Sequence, residues 1–258
     1  MDIGDFTLGA FSLAGRNALV TGGNSGLGRA FTVALAAAGA NVMVVARTDD
    51  DGATANMVNG HGSRYLYVED DLTRAGVAAE VADRCVRDLG SLDILINSAG
   101  ICFTAEPGEF DREQWDPMVA VNLTAAFEMA KHAAAHMRAR GSGKIVNVAS
   151  LFSYLGGQRS PAYAATKAGI VGFTRAYCDD LAADGICVNA LAPGYFATAM
   201  TEGTRSDPET NRRVVEHIPA GRWGDPADLM GAVVFLSSPA SDYVNGQVLV
   251  VDGGYLVR

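Results

Sequence analysis

Short apolar runs alternate along the chain with longer segments of helical periodicity. The apolar runs are rich in β-branched and aliphatic residues and are bounded by polar or glycine-containing turns, which is typical of buried strands. The predicted strands cover 17–21, 42–46, 65–68, 93–97, 144–149, 187–191 and 247–251. The predicted helices cover 26–38, 77–89, 115–138, 161–183 and 226–236, and a looser segment runs from 193 to 219.

This alternation predicts an α/β fold. Strands that are apolar on both faces and joined by helices form a parallel sheet covered on both sides, here a doubly wound sheet of about seven strands. We expect all 258 residues to form a single domain, because α/β domains of about 250 residues are common. Ligands of such sheets bind beyond the carboxyl ends of the strands, so the informative residues should directly follow strands.

Charge and composition restrict the possible partners. The net charge of −9 and the pI near 4.9 argue against nucleic acid, because phosphate binding needs a basic surface. The most apolar stretch is interrupted by Gly39-Ala40-Asn41, so we expect no membrane span. The cysteines form no CxxC pair, which favours free thiols in a reducing cytoplasm rather than a metal site or disulfides. These cysteines are Cys85, Cys102, Cys178 and Cys187.

His132 and His136 lie four residues apart on a predicted helix, the spacing of a metal-binding pair. The glutamate of an HExxH motif is missing. The sequence therefore favours an exposed or interfacial helix face, and we predict no metal.

The first predicted strand leads into a helix through a glycine-rich turn, TGGNSGLG. Glycines let a pyrophosphate approach the backbone, and the free N–H groups of a helix N-terminus attract its charge. The spacing differs from the usual G-x-G-x-x-G, so an ordinary tight turn is the alternative, but the flanking strand and helix favour nucleotide binding. The candidate cofactor contacts in this turn are Gly22, Asn24, Ser25, Gly26, Leu27 and Gly28.

Arg47 ends the second predicted strand and bears on the choice of cofactor. An acidic residue there would bind the adenosine 2′-hydroxyl of NAD, whereas an arginine accommodates the 2′-phosphate of NADP. NADP is therefore favoured over NAD. The acidic run Asp49–Asp51 follows at once and would repel a phosphate if it faced inward. Alternatively, Arg47 pairs with that run on the surface.

The next two strand ends fit the same cleft. Asp71 and Leu72 follow the third strand, where a carboxylate can accept a hydrogen bond from an adenine amino group. Asn97, Ala99 and Gly100 follow the fourth strand, where small residues let a cofactor lie against the backbone. Each segment alone would suit a simple turn, but successive strand ends of this kind predict one cofactor cleft.

A candidate catalytic group follows the fifth strand. Ser150 ends that strand, and Tyr163 and Lys167 begin the next helix four residues apart, hence on one helix face. A nearby ammonium favours the ionised form of a phenol. Lowering the pKa of Tyr163 by about three units requires roughly 4 kcal/mol, which Lys167 and a positively charged nicotinamide are expected to supply. In isolation the pair would be an ordinary amphipathic helix feature.

Together, TGGNSGLG, NSAG, Asn122, Ser150, YAATK and Pro193-Gly194 closely resemble the short-chain dehydrogenase/reductase family over nearly the whole chain. The resemblance implies a Rossmann-like fold, a homotetramer, and NAD(P)-dependent interconversion of a secondary alcohol and a ketone. Ser98 departs from the family pattern, which usually has a second asparagine there, and we expect little effect.

The same resemblance implies roles for individual residues. Tyr163 is the general acid/base, Ser150 binds the substrate oxygen, and Lys167 lowers the pKa of Tyr163 and holds the nicotinamide ribose. Asn122 positions a water in the proton relay. Residues expected at the nicotinamide end are Pro193, Gly194 and Thr198.

The segment 213–258 resembles the sugar-acid branch of the family, nearest the 2-deoxy-D-gluconate 3-dehydrogenase and 2-keto-3-deoxygluconate 5-dehydrogenase type. A sugar acid needs a cation for its carboxylate, and Arg159, four residues before Tyr163, is the candidate. A surface or interface role for Arg159 is the alternative. Other possible functions are a 3-oxoacyl-thioester or broad carbonyl reductase, and a dinucleotide sensor without catalysis.

Overall fold

The computed structural model describes residues 3–157 and 159–258 and contains one parallel seven-stranded sheet in the order β3-β2-β1-β4-β5-β6-β7. The predicted doubly wound, Rossmann-like α/β fold is therefore confirmed. The central strands are completely buried, whereas the edge strand β7 is only half-buried. The strands are β1 Asn17–Thr21, β2 Asn41–Ala46, β3 Tyr65–Glu69, β4 Ile94–Asn97, β5 Gly143–Val148, β6 Ile186–Pro193 and β7 Val248–Val251.

Helices cover both faces of this sheet. On one face Phe31 and Val233 belong to a core cluster beneath the first and last helices, and on the other Val81 and Met129 belong to a second cluster. The helices are α1 Gly26–Ala37, α2 Ala53–Gly60, α3 Val77–Leu89, α4 Arg112–Val119, α5 Ala125–Arg140, α6 Pro161–Leu181, α7 Glu202–Ser206, α8 Pro208–His217 and α9 Met230–Ser237.

The strand order places a cleft at one edge of the sheet. The chain runs outward from β1 to β3 and then returns to place β4 on the other side of β1. Connections leave the carboxyl ends of β1 and β4 in opposite directions, which opens a crevice between them. The segments after the first six strands converge on this edge.

The predicted helix over 115–138 is helical throughout, but it belongs to a longer helical run and is interrupted by a π-helical turn. α4 begins earlier because Asp111 and Gln114 form a capping box: the Asp111 side chain accepts from Glu113 N–H, and the Gln114 side chain accepts from Asp111 N–H. A π-helical segment, Ala120–Thr124, then separates α4 from α5. Such an expanded turn changes which residues face inward, and here it carries Asn122.

Other boundaries also differ from the sequence prediction. The segment 193–219 is not uniformly loose but contains α7 and α8, and α8 begins with a strong signal, the Asp207 cap followed by Pro208. α2 was not predicted, and the predicted helix over 226–236 divides into a 3₁₀ turn and α9. Within the described ranges, every helix falls short of the length and apolarity needed to cross a membrane.

Candidate active site

A cleft of about 420 Å³ lies at the carboxyl edge of the sheet. It is lined by residues from the ends of β1 to β6, including both members of the predicted Tyr163–Lys167 pair. The predicted site residues that line it are Gly22, Asn24, Ser25, Gly26, Leu27, Gly28, Arg47, Asp71, Leu72, Ala99, Gly100, Tyr163, Lys167 and Thr198.

The glycine-rich turn brings the N-terminus of α1 into this cleft. Gly28 cannot carry a side chain, because a Cβ there would lie 2.1 Å from the Gly22 carbonyl oxygen. Ser25 precedes the helix without a side-chain capping bond, and the first turn contains no acidic residue. The N–H groups of the first turn are thus left for an anion, which fits the pyrophosphate of a dinucleotide.

Arg47 faces the cleft beside Asp71 rather than pairing with the acidic run that follows it. Asp50 turns away, accepting from Thr54 N–H at 2.9 Å and pairing with Arg29 at 3.2 Å. Hydrogen bonds from the Thr73 N–H and hydroxyl hold the pKa of Asp71 below its usual value, and the charge of Arg47 lowers it further. The arrangement suits a phosphate near Arg47.

Two polar side chains fix the loops around the cleft. Asn24 donates to the Thr48 carbonyl, which ties the glycine-rich turn to the end of β2. Thr21, which sequence reasoning missed, accepts from the N–H groups of Ser98 and Ala99, both at 3.0 Å. The sequence shows that Thr21 ends a strand, but it does not reveal the partners of this side chain, because they lie 77 and 78 residues away.

Three predicted cofactor residues lie outside the cleft lining. Asn97 is buried behind it and donates to the Ala126 carbonyl at 3.0 Å and to Asn147 at 2.9 Å. Pro193 ends β6 and Gly194 packs against the chain beyond β7, where a Cβ would lie 2.7 Å from the Asp252 Cα. These contacts stabilise the strand ends on which the cleft depends.

Asn122 clamps the loop that follows β4. Only 1% of this residue is exposed, and its side chain both accepts from Ile101 N–H and donates to the Ile101 carbonyl, each at 2.8 Å. The side-chain amide is therefore occupied by Ile101. The π-helical turn around Asn122 supplies this orientation.

Tyr163 and Lys167 lie together on α6, with Lys167 Nζ 5.6 Å from the centre of the Tyr163 ring. Lys167 Nζ donates to the Val148 carbonyl at 2.6 Å, which directs the lysine toward the end of β5. Ser150 follows that strand and caps the next turn, accepting from Phe152 N–H at 3.2 Å. The three candidate catalytic residues thus converge where β5 meets α6.

The predicted lowering of the Tyr163 pKa includes the charge of a bound nicotinamide and stays a prediction; the chain's own groups shift this pKa upward. Desolvation and, to a smaller extent, Cys102 raise the pKa of Tyr163 to about 12, and hydrogen bonding with Ser150 offsets only part of the rise. Burial also lowers the pKa of Lys167 to about 8. Both shifts have one cause, since a buried site disfavours any charged form.

Arg159 lies beside the candidate catalytic group but outside the cleft lining. Its Nη2 is 3.0 Å from Glu106 Oε1, and both side chains are more than half exposed. Its backbone is left-handed, with φ of 62°, and its carbonyl accepts from Ala105 N–H at 2.9 Å. The loop before α6 is therefore joined to the loop after β4.

The two helical histidines pair with carboxylates: His132 lies 3.6 Å from Glu128 and His136 lies 2.8 Å from Asp83. In residues 3–157 and 159–258 no group of three or more His, Cys, Asp or Glu side chains is arranged to hold a metal ion. A larger cavity, of about 630 Å³, lies at the amino edge of the sheet between Asp93 and Asp242. None of the predicted site residues lines it.

Comparison with known proteins gives concordant matches. Residues 22–256 match a family model described as enoyl-(acyl carrier protein) reductase. The uncharacterized oxidoreductase YgcW of Escherichia coli is 55% identical, covering 98% of this chain and 97% of its own. The 2-dehydro-3-deoxy-D-gluconate 5-dehydrogenase of the same organism is 43% identical, covering 97% and 99%.

A solved structure agrees with both the fold and the cofactor. The gluconate 5-dehydrogenase of Burkholderia cenocepacia, in complex with NADP and tartrate, has a TM-score of 0.93 and 38% identity, covering 97% of this chain and 99% of its own. The cleft, the glycine-rich turn and the Tyr163–Lys167 pair agree with these matches. The chain belongs to the short-chain dehydrogenase/reductase family of NAD(P)-dependent oxidoreductases.

Proposed function

We propose that the chain interconverts a secondary alcohol and a ketone on a deoxygluconate-like sugar acid, with NADP(H) as the preferred cofactor. The observation that carries the reaction type is the position of the partly buried Tyr163 beside the buried Lys167 in the cofactor cleft. The substrate class is supported by the relatives named for 2-dehydro-3-deoxy-D-gluconate and gluconate oxidation. We propose one domain over residues 1–258, with its substrate loop around 193–219.

In the proposed mechanism the cofactor supplies or accepts the hydride. During ketone reduction the Tyr163 hydroxyl donates its proton to the forming alkoxide, and during alcohol oxidation the phenolate takes it back. The Ser150 hydroxyl hydrogen-bonds the substrate oxygen, and the Lys167 ammonium stabilises the phenolate. Asn122 acts in the proton relay, and we assign this to its backbone because its side chain is bonded to Ile101.

We propose the predicted cofactor contacts as the binding set, with a distinct role for each part. The first turn of α1 binds the pyrophosphate, Arg47 binds the 2′-phosphate, and Asp71 and Leu72 contact the adenine. The cofactor is supported indirectly by three further residues, which stabilise the ends of β4 and β6: Asn97, Pro193 and Gly194. Thr198 closes the nicotinamide end, and its side chain lies beside Gly26, where a Cβ would come within 3.9 Å of it.

A second candidate function is the reduction of acyl thioesters. The specific observation in its favour is the description of the matching family model, which names an enoyl-(acyl carrier protein) reductase. The relatives at 38–43% identity that are named for gluconate chemistry favour the sugar acid.

We also propose a cytoplasmic homotetramer. Phe127 on α5 is 39% exposed, and its ring packs edge-on against Tyr177 of α6 with ring centres 6.0 Å apart, which leaves apolar surface on these paired helices. The half-buried edge strand β7 offers a second surface. Exposed apolar surface of this kind favours association. The lack of paired cysteine motifs favours a reducing compartment.

Turnover of a substrate panel tests the proposed function. With NADPH, we expect keto-aldonic acids to be reduced with a higher kcat/KM than neutral ketoses, β-keto thioesters or enoyl thioesters. Tyr163→Phe is expected to lower kcat by about a hundredfold to ten-thousandfold, because it removes the proton donor. The matched control, Tyr243→Phe, alters a fully exposed tyrosine at the opposite edge. Preference for a thioester, or undiminished turnover by Tyr163→Phe, would contradict the proposal.

Replacing Arg47 tests the cofactor preference. Arg47→Asp is expected to reduce kcat/KM for NADPH relative to NADH by about tenfold to a hundredfold, because a charge-assisted contact becomes a repulsion. The control Arg64→Asp makes the same charge change at the other end of the β2–β3 pair, just before β3 begins. Its ratio of kcat/KM for NADPH to that for NADH should stay near the wild-type value. An unchanged ratio in Arg47→Asp would refute the phosphate contact.

The pH dependence of ketone reduction tests the role of Lys167. Since burial lowers the pKa of Lys167 to about 8, the ammonium is present below that pH and lost above it. We expect kcat/KM to fall as pH rises through about 8. In Lys167→Arg the guanidinium stays charged, so the fall should be absent below about pH 10. A fall that remains near pH 8 in this variant would assign the titration to another group.

A further inference from the structure

Arg159 and Glu106 form an ion pair between the two loops that border the catalytic end of the cleft. Glu106 belongs to the loop after β4, which enters the cleft at Gly100 and Ile101. Arg159 belongs to the loop before α6, which leads within four residues to Tyr163. The 3.0 Å distance joins Arg159 Nη2 to Glu106 Oε1.

The backbone holds these two loops in a fixed relation. Ala105 N–H donates to the Arg159 carbonyl at 2.9 Å, and the Ser160 hydroxyl donates to the Phe103 carbonyl at 2.7 Å. Ser160 is buried. The backbone of Arg159 is therefore anchored, while its guanidinium is 58% exposed and able to change partner.

The anionic partner of Arg159 is itself a carboxylate, the same group that a sugar acid would present. We propose that Glu106 is a specificity-determining residue that competes with the substrate carboxylate for Arg159. This rests on the proposed sugar-acid function. Binding of the acid then exchanges one carboxylate for another on a single guanidinium, and Glu106 is released to solvent.

The strength of the pair limits the size of the effect. Ion pairs between groups this exposed contribute little, because water screens them and their side chains lose entropy. The competition therefore costs an acidic substrate only about twofold to fivefold in KM. Loss of Arg159 removes the contact altogether and is expected to raise KM for the acid about tenfold or more.

A double-mutant cycle on Glu106→Gln and Arg159→Ala tests the competition. The measured quantity is KM for a keto-aldonic acid relative to KM for its neutral amide. We expect Glu106→Gln to lower this ratio about twofold to fivefold in the wild-type background and to leave it unchanged in the Arg159→Ala background. Glu109→Gln is the matched control, since it removes the same charge from the same loop and should not reproduce the effect.

Three results would overturn the proposal. In the first, the KM ratio is unchanged in Glu106→Gln. In the second, it falls equally in Glu109→Gln. In the third, Glu106→Gln lowers it to the same extent in the Arg159→Ala background as in the wild type. In each case the wild type still reduces keto-aldonic acids, so the proposed function stands. If the wild type reduces none of them, the proposed function fails and the competition fails with it.

Discussion

The partly buried position of Tyr163 beside the buried Lys167 is the constraint on which the chemistry of this chain depends. Their desolvation disfavours both charged forms, so the pKa of Tyr163 rises and the pKa of Lys167 falls. The same low-polarity surroundings would strengthen the charge interaction that a bound, positively charged nicotinamide adds.

The sheet places these side chains through long-range contacts. The seven parallel strands end at one edge, and polar side chains fix several of the loops that leave them. Thr21 holds the backbone of Ser98 and Ala99, and Asn122 holds Ile101. Asn97 joins β4 to β5 and α5 from behind. The loops that line the cleft are therefore held by hydrogen bonds, whereas the Arg159–Glu106 pair outside the lining is exposed.

The sequence predicted the features that local pattern determines. Apolar runs located all seven strands to within one or two residues, because buried parallel strands need continuous apolar sequence. The glycine-rich turn and the Tyr163–Lys167 spacing could also be predicted, because each depends on only a few neighbouring positions. The short helix α2 and the π-helical turn at Asn122 were not predicted, because their patterns are weak or non-standard.

Features that depend on distant residues were beyond the sequence. The partner of Arg159 is Glu106, 53 positions earlier, and no local pattern indicates that pairing. The four-residue spacing likewise reveals a cation near Tyr163 but not how far the surroundings desolvate the phenol. The sequence also predicts Asn97 as a cofactor contact, but its side chain lies behind the cleft and donates a hydrogen bond to Asn147 of β5.

In the protein alone, the chain's own groups favour the protonated form of Tyr163. Ultraviolet titration of tyrosinate formation, with Tyr163→Phe as the difference blank, measures this directly. We expect Tyr163 to stay a phenol beyond about pH 10, the ordinary tyrosine value, and its pKa to fall on adding oxidised NADP. Ionisation of Tyr163 near neutral pH in the protein alone would show that these groups do not hold the proton.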